Sequence, residues 1–219
     1  MFRDHSEIST VKPLLETLPS ESISIIKSDP DASVSSLRQW TDSTDMAAKD
    51  MINLINEMLT LSSLDEMNKT VKTERINLSA ILQKNVLQME SVAYERGIII
   101  EDDIPDNLYI LSSEEYTGRI CSGLIDNAIK YEPDGGKIII SARSRKKTVV
   151  FTVKNEGSVI DGNDLPHILD RFYRGDKTRS SKNGNGLGLP IIKKMTELTG
   201  AKDNRGKLRK KGNTVYGLL

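Results

Sequence analysis

The sequence predicts an α+β protein, with an N-terminal helical hairpin followed by an α/β sandwich that lays helices on one face of a mixed sheet. Three observations predict it. Apolar residues in the first third recur at helical spacing. A polar, charged stretch from Asp65 to Thr73 then marks a boundary, dividing residues 1–68 from residues 69–219. Beyond it, helical and β-prone segments follow one another without strict alternation, which favours a sandwich.

In the first third, Ile8, Val11, Leu15 and Leu18 fall on one helical face, and Pro19 closes the helix. The serine-rich run from Ser20 to Ser28 reads as a loop. Asp29-Pro30 then starts a second helix, with a capping carboxylate ahead of a first-turn proline. Its latter part carries Met51, Leu54, Ile55, Met58 and Leu61 along one face. Two helices alone cannot bury such faces. A four-helix bundle with a second copy would cover them, as would packing on the neighbouring domain.

In the remainder, Leu78 to Arg96 reads as an amphipathic helix closed by Gly97. Ile98-Ile99-Ile100 reads as a short buried strand, and Glu114 to Tyr131 as a helix. Lys137 to Ser141 and Thr148 to Lys154 form an antiparallel hairpin about a basic turn. Pro190 to Thr199 is a helix ended by Gly200, and Thr214-Val215-Tyr216 a closing strand.

Composition narrows the function. Hydrophobic residues make up 37% and charged residues 28%, a globular balance. The 31 basic and 31 acidic residues cancel, so nothing pulls the whole chain toward nucleic acid, and any phosphate site must be local. No apolar run reaches the ~20 residues that span a bilayer, and the start lacks a secretory apolar core. A lone Cys121 among apolar neighbours reads as core packing in a reducing, cytoplasmic setting.

Four segments carry chemistry. Gly184-Asn185-Gly186-Leu187-Gly188-Leu189 runs directly into a helix, where close backbone approach and free N–H groups suit a phosphate chain. It is neither a P-loop, lacking Gly-Lys-Ser/Thr, nor a dinucleotide fingerprint, because a polar loop precedes it. That loop, Gly175 to Asn183, suits a lid. In Leu124 to Tyr131, Asn127 and Lys130 lie one helical turn apart, so that a carboxamide for Mg²⁺ and an ammonium for phosphate share a side. The plainer reading is two solvated polar residues. Asn155 falls at a strand end before Gly157, placed to read a base edge. Ile168 to Arg174 brings aromatics that pack either the base of the lid or the core.

Together and in this order, these segments resemble the catalytic and ATP-binding domain of sensor histidine kinases, from roughly Asn77 onward. Leu124 to Tyr131 resembles the family's N box, Asn155 to Ile160 its first glycine box, Ile168 to Arg174 its F box, and Gly184 to Leu189 its second glycine box. The resemblance implies ATP and Mg²⁺ as cofactors. By it, Asn127 holds the metal, Lys130 contacts phosphate, Tyr131 lies against the nucleotide, and Asn155 takes the adenine amino group. Gly157, Ile160, Phe172, Arg174, Arg179, Gly184, Gly186, Leu187, Gly188 and Leu189 complete the binding set. Met51 to Leu64 is similar to the second helix of the family's dimerisation and phosphotransfer hairpin. This implies a homodimer, autophosphorylation of a histidine, and transfer to a response-regulator aspartate. It also implies a cytoplasmic chain, or the cytoplasmic part of a membrane-bound sensor.

The phosphoacceptor motif departs from the family. Aligning Glu7 and Thr10 with the family's acidic residue and threonine puts Ser6 where histidine belongs, and His5 one position early. One residue is a rotation of ~100° on a helix, which turns His5 away from the face on which Glu7 could orient it. His5, Glu7 and Thr10 are the catalytic candidates, with a solvated helix-end role the alternative for His5. The other functional reading is a nucleotide-binding interaction or phosphatase module with impaired autokinase activity. A protein-serine kinase on the same scaffold fits less well, because those relatives lack the hairpin. Gly123 stands where family members often have asparagine, and Val159 replaces a glycine. The basic stretch Lys202 to Lys211 lacks strand alternation.

Overall fold

The computed structural model of the chain describes residues 34–66, 71–145, 148–157, 160–175, 184–203 and 213–218. The first predicted helix, the Asp29-Pro30 start and the candidates His5, Glu7 and Thr10 lie outside them. Two compact units divide between Thr60 and Leu61, ahead of the polar stretch at Asp65.

In the first unit the described chain is one long helix, α1, Val34–Glu66, whose final residues belong to the second unit. Leu54 is buried, while Ile52, Leu59 and Ile55 (48% exposed) are not. Ile55 therefore stands beside the buried line rather than on it, one residue and a ~100° turn from Leu54.

In the second unit the order is β1 (Glu74–Asn77), α2 (Leu78–Glu95), β2 (Ile99–Asp103), β3 (Tyr109–Ser112), α3 (Glu114–Tyr131), β4 (Lys137–Arg145), β5 (Thr148–Asn155), α4 (Gly188–Leu198), β6 (Lys202–Asp203) and β7 (Asn213–Leu218). β1 and β3 pair antiparallel as a small sheet. The main sheet has the order β2-β4-β5-β7-β6, with β2 parallel to β4 and the other pairs antiparallel. The expected mixed sheet is present. So are the helix from Leu78, the helix from Glu114, and the hairpin, whose strands extend to Arg145 and Asn155. α4 begins two residues before Pro190.

Period-two burial positions the sheet. Ile138, Ile140 and Ala142 of β4 lie beside or near Val149, Phe151 and Val153 of β5 in the antiparallel register, all buried. Against them pack Ile120, Cys121, Leu124, Ile125, Ala128 and Ile129 of α3, together with Leu82 and Val86 of α2, Met195 of α4, and Leu64 from the end of α1. Cys121 is fully buried, and burial pushes its thiol up to about 12, so it is a packing residue.

Local chemistry fixes the helix ends. Asn77 caps α2 by accepting the Ala80 N–H at 3.1 Å. Gly97, at φ +64°, turns the chain out of that helix. Ser113 caps α3, and Glu114 and Glu115 face its positive end. At the far end of α3, the Arg96 guanidinium donates to the Ile129 carbonyl at 2.5 Å and to the Glu132 carbonyl at 2.7 Å, satisfying carbonyls the helix cannot.

The strand expected at Ile98 to Ile100 is displaced and not buried. It runs from Ile99 to Asp103 at the sheet edge, and Ile99 is 59% exposed. Ile98, just ahead of it, is in the core, and Ile100 packs half-buried against that core. The edge is guarded by charge, with Glu101 paired to Lys137 at 2.6 Å and Asp103 paired to Arg143. Among the described residues no helix is long and apolar enough to cross a membrane.

Candidate functional site

Helix α3 supplies one wall. Its inward stripe goes to the core, which leaves Asn127 and Lys130 half-buried one turn apart beside it. Tyr131 is its last residue. Strand β5 ends on Asn155, which is 5% exposed, and the chain turns at Glu156 and Gly157. These two ends touch. A Cβ on Gly157 would stand 2.3 Å from the Tyr131 carbonyl oxygen and 3.1 Å from Asn155 Nδ2, so only glycine lets the backbones pass.

From Ile160 to Gly175 the chain makes successive turns held by side chains. The Tyr173 hydroxyl donates to Asp164 at 2.7 Å, His167 Nδ1 bonds Asp170 at 2.8 Å, and the His167 and Tyr173 rings lie 5.3 Å apart. Phe172 adopts φ +61°, an uncommon conformation for a non-glycine residue. Its N–H donates to the Gly186 carbonyl at 3.0 Å. Phe172 is half-buried and serves as a backbone junction as much as a packed ring.

The glycine-rich segment closes the site. Gly184, at φ +115°, lies where an added Cβ would be 2.5 Å from Lys130 Nζ, so the lysine of α3 reaches this turn. Leu187 is fully buried and anchors the start of α4, with no side chain capping that start. The first-turn N–H groups of Gly188 and Leu189 are thereby left to an anion, along with the positive end of the helix dipole. The cradle fits a phosphate chain. Among the described residues no three acidic, histidine or cysteine side chains cluster as a metal cage. A Mg²⁺ ion would therefore depend on a carboxamide such as Asn127 together with phosphate oxygens and water.

Arg179, Ser158 and Val159 lie outside the described residues. The structure joins Tyr131 to Gly157, Lys130 to Gly184, and Phe172 to Gly186. It places Asn127 on α3 beside Lys130, Arg174 half-buried two residues after Phe172, and Ile160 half-buried at the start of the turns.

Residues 113–217 match the family described as histidine kinase-, DNA gyrase B- and HSP90-like ATPase. The chain is 31% identical over 169 residues to the sensor histidine kinase WalK of Bacillus subtilis (strain 168), covering 75% of this chain and 28% of WalK. It belongs to the sensor histidine kinases. The sensor protein DltS of Streptococcus agalactiae serotype III (strain NEM316) is 30% identical over 159 residues, covering 73% of this chain and 40% of DltS. The chain thus spans less than half the length of these relatives. Among solved structures, histidine kinase ThkA in complex with response regulator protein TrrA superposes with a TM-score of 0.76 at 18% identity, over 98% of this chain and 60% of that one.

Within this histidine kinase fold, the departure at Gly123 has a packing reason. A Cβ there would meet Ile192 Cδ1 at 2.9 Å, so glycine lets α4 press against α3. Sequence reasoning missed two further residues. Glu132 ends α3 as a buried carboxylate, and its signal was an acid at a helix C-terminus, where the dipole disfavours it unless it has partners elsewhere. Asp65, at the end of α1, pairs with Arg171 at 2.5 Å and with Lys194 at 3.4 Å.

The Asp65 contacts predict a pH dependence. Burial pulls the carboxyl upward, but hydrogen bonds and charge from Arg171 and Lys194 outweigh it and hold the group below its ordinary 3.8. Because the folded value is depressed, the contribution is complete above 3.8 and disappears as pH falls through the lower folded value. Denaturant titrations of wild type and Asp65→Asn should differ at pH 6 and converge near pH 2. A difference that persists in acid would refute the pairing as its source.

Proposed function

We infer that this chain is the kinase core of a two-component sensor. It binds ATP with Mg²⁺, phosphorylates a histidine of its own hairpin, and passes the phosphoryl group to an aspartate of a response-regulator receiver domain. The observation that carries this is Lys130 Nζ lying against Gly184 at the head of an uncapped helix. A cation beside a glycine-rich turn that leads into an uncapped helix start is a combination suited to a phosphate chain.

In this reading Asn127 holds the metal, Lys130 and the amides from Gly184 to Leu189 hold phosphates, Tyr131 lies along the nucleotide, and Asn155 reads the adenine amino group. Phe172 packs the base of the lid, and Arg174 and Arg179 belong to the nucleotide-binding set. Bound Mg·ATP would supply the phosphoryl group, with the cation offsetting its charge. Residues 1–68 form the hairpin and residues 69–219 the ATPase portion. The uncovered Ile52, Ile55 and Leu59 on α1 support pairing with a second copy. The ThkA complex with TrrA supports a receiver-domain partner. The relatives' names as sensors support a place in a signalling protein, and in this reading the chain is cytoplasmic or the cytoplasmic part of a membrane-bound sensor.

The test is incubation with γ-labelled ATP. Acid-labile label on the wild-type chain that disappears in His5→Gln is the expected result. A second reading is motivated by Ser6 standing where the phosphoacceptor belongs: a nucleotide-gated binding or phosphatase module. Nucleotide binding with no label on the chain would replace the first reading with the second.

A further inference from the structure

Glu132 is 3% exposed and accepts three backbone N–H groups from two separate stretches of chain. Its Oε1 accepts the Lys137 N–H at 3.1 Å, and its Oε2 accepts the N–H groups of Glu156 at 2.7 Å and Gly157 at 2.8 Å. Lys137 opens β4, while Glu156 and Gly157 follow directly on Asn155 at the end of β5. One carboxylate thus ties the end of α3 to the start of one central strand and the end of its neighbour. Gly136 completes the fit: a Cβ there would lie 2.1 Å from Oε1 and 2.8 Å from Cδ.

This tie sits between the two poles of the site. On one side is α3 with Asn127 and Lys130, and Tyr131 immediately precedes Glu132. On the other is Asn155, itself buried, one residue before the two N–H groups that Oε2 accepts. We propose that Glu132 is a positioning residue that fixes the Asn155–Gly157 backbone against α3, setting the distance between the base-reading and phosphate-holding groups and hence the preference for adenine. The proposal rests on the nucleotide-binding reading above. No catalytic contact is assigned to Glu132.

The chemistry demands a carboxylate. Glutamine has the same size but offers one oxygen and one NH₂. Whichever way it turns, the NH₂ faces a backbone donor, and buried donors left without an acceptor are costly. Glu132→Gln is therefore expected to behave as a loss, although it leaves no cavity. Gly136→Ala approaches the same carboxylate from outside, at a residue without a positive φ, and should reproduce the effect with Glu132 intact.

The experiment uses the full chain. The amide resonances of Lys137, Glu156 and Gly157 are followed by NMR, and calorimetry compares Mg·ATP, Mg·GTP and magnesium tripolyphosphate. Gly136→Ala should shift the Glu156 and Gly157 amides upfield, and Glu132→Gln should shift either them or the Lys137 amide. Both variants should weaken ATP about tenfold, leave tripolyphosphate within about twofold, and narrow the preference for ATP over GTP. Amides that stay in place, or equal losses for ATP and tripolyphosphate, would overturn the proposal. So would failure of both variants to fold, because the carboxylate would then hold the fold rather than the base. A wild-type chain that binds no adenine nucleotide sinks the nucleotide reading itself, and that result is seen before any variant is compared.

Discussion

Asn127→Ala is expected to weaken ATP binding on the order of 100-fold in the presence of Mg²⁺ and only about twofold in its absence. The side chain is half-buried on the face of α3 that carries Lys130. Magnesium takes few protein ligands, so losing the one carboxamide removes most of what the protein itself contributes to the ion. Alanine is a better helix former than asparagine, so α3 should not suffer. Calorimetry with a non-hydrolysable ATP analogue, with and without Mg²⁺, checks both halves. Equal losses in the two conditions would mean that Asn127 touches the nucleotide or the fold rather than the ion.

Gly186→Ala should be still more damaging, for two independent reasons. Gly186 has φ +70°, a conformation that costs an alanine about 1 kcal/mol. Its new Cβ would also stand 2.8 Å from Phe172 C, 2.9 Å from Phe172 Cα and 2.9 Å from the Tyr173 carbonyl oxygen. These are backbone atoms, and Phe172 is already at φ +61°, so neither side can move cheaply. The Phe172 N–H to Gly186 carbonyl bond should break, and the glycine-rich turn should come away from the preceding segment. A combined cost of about 3 kcal/mol or more corresponds to a loss of ATP affinity exceeding about 100-fold. Gly162→Ala, where an added Cβ meets nothing within 4 Å, serves as the control and should bind as wild type does. Calorimetry and thermal unfolding of both variants provide the measurement, and normal ATP binding by Gly186→Ala would refute the junction.

What could be read in the sequence follows from how each element is stabilised. Helix α3 announced itself because its core stripe, caps and flanking charges all agree. The β4–β5 hairpin was visible because long β-prone runs alternate cleanly between buried and less buried positions. Strands β1 and β3 are four residues each, and Ile76 alone in β1 is buried, too little pattern for a period to register. β6 has two residues and exists because β7 pairs with it. The three isoleucines around the start of β2, Ile98 to Ile100, suggested burial, but hydropathy does not say which strand is at the edge. At the site, glycines and carboxamides were legible as types in sequence order. Glu132, Arg96 and Asp65 were not, since each acts on atoms far along the chain: residues 137 and 156–157, residues 129 and 132, and residues 171 and 194. Glu132 leaves a local trace as an acid at a helix C-terminus, but which atoms each of the three residues reaches has no local signature.

The strand order has a consequence for assembly of the protein. β7, at residues 213–218, inserts between β5 and β6 in the main sheet, and its first residue, Asn213, pairs with Asn155. A chain emerging from the ribosome must therefore wait for these late residues before the strand that carries Asn155 is flanked on both sides. Until then one margin of β5 offers unmatched amides and carbonyls to any passing strand. Flanking of the Asn155 strand and protection of that margin therefore arrive together, when β7 docks.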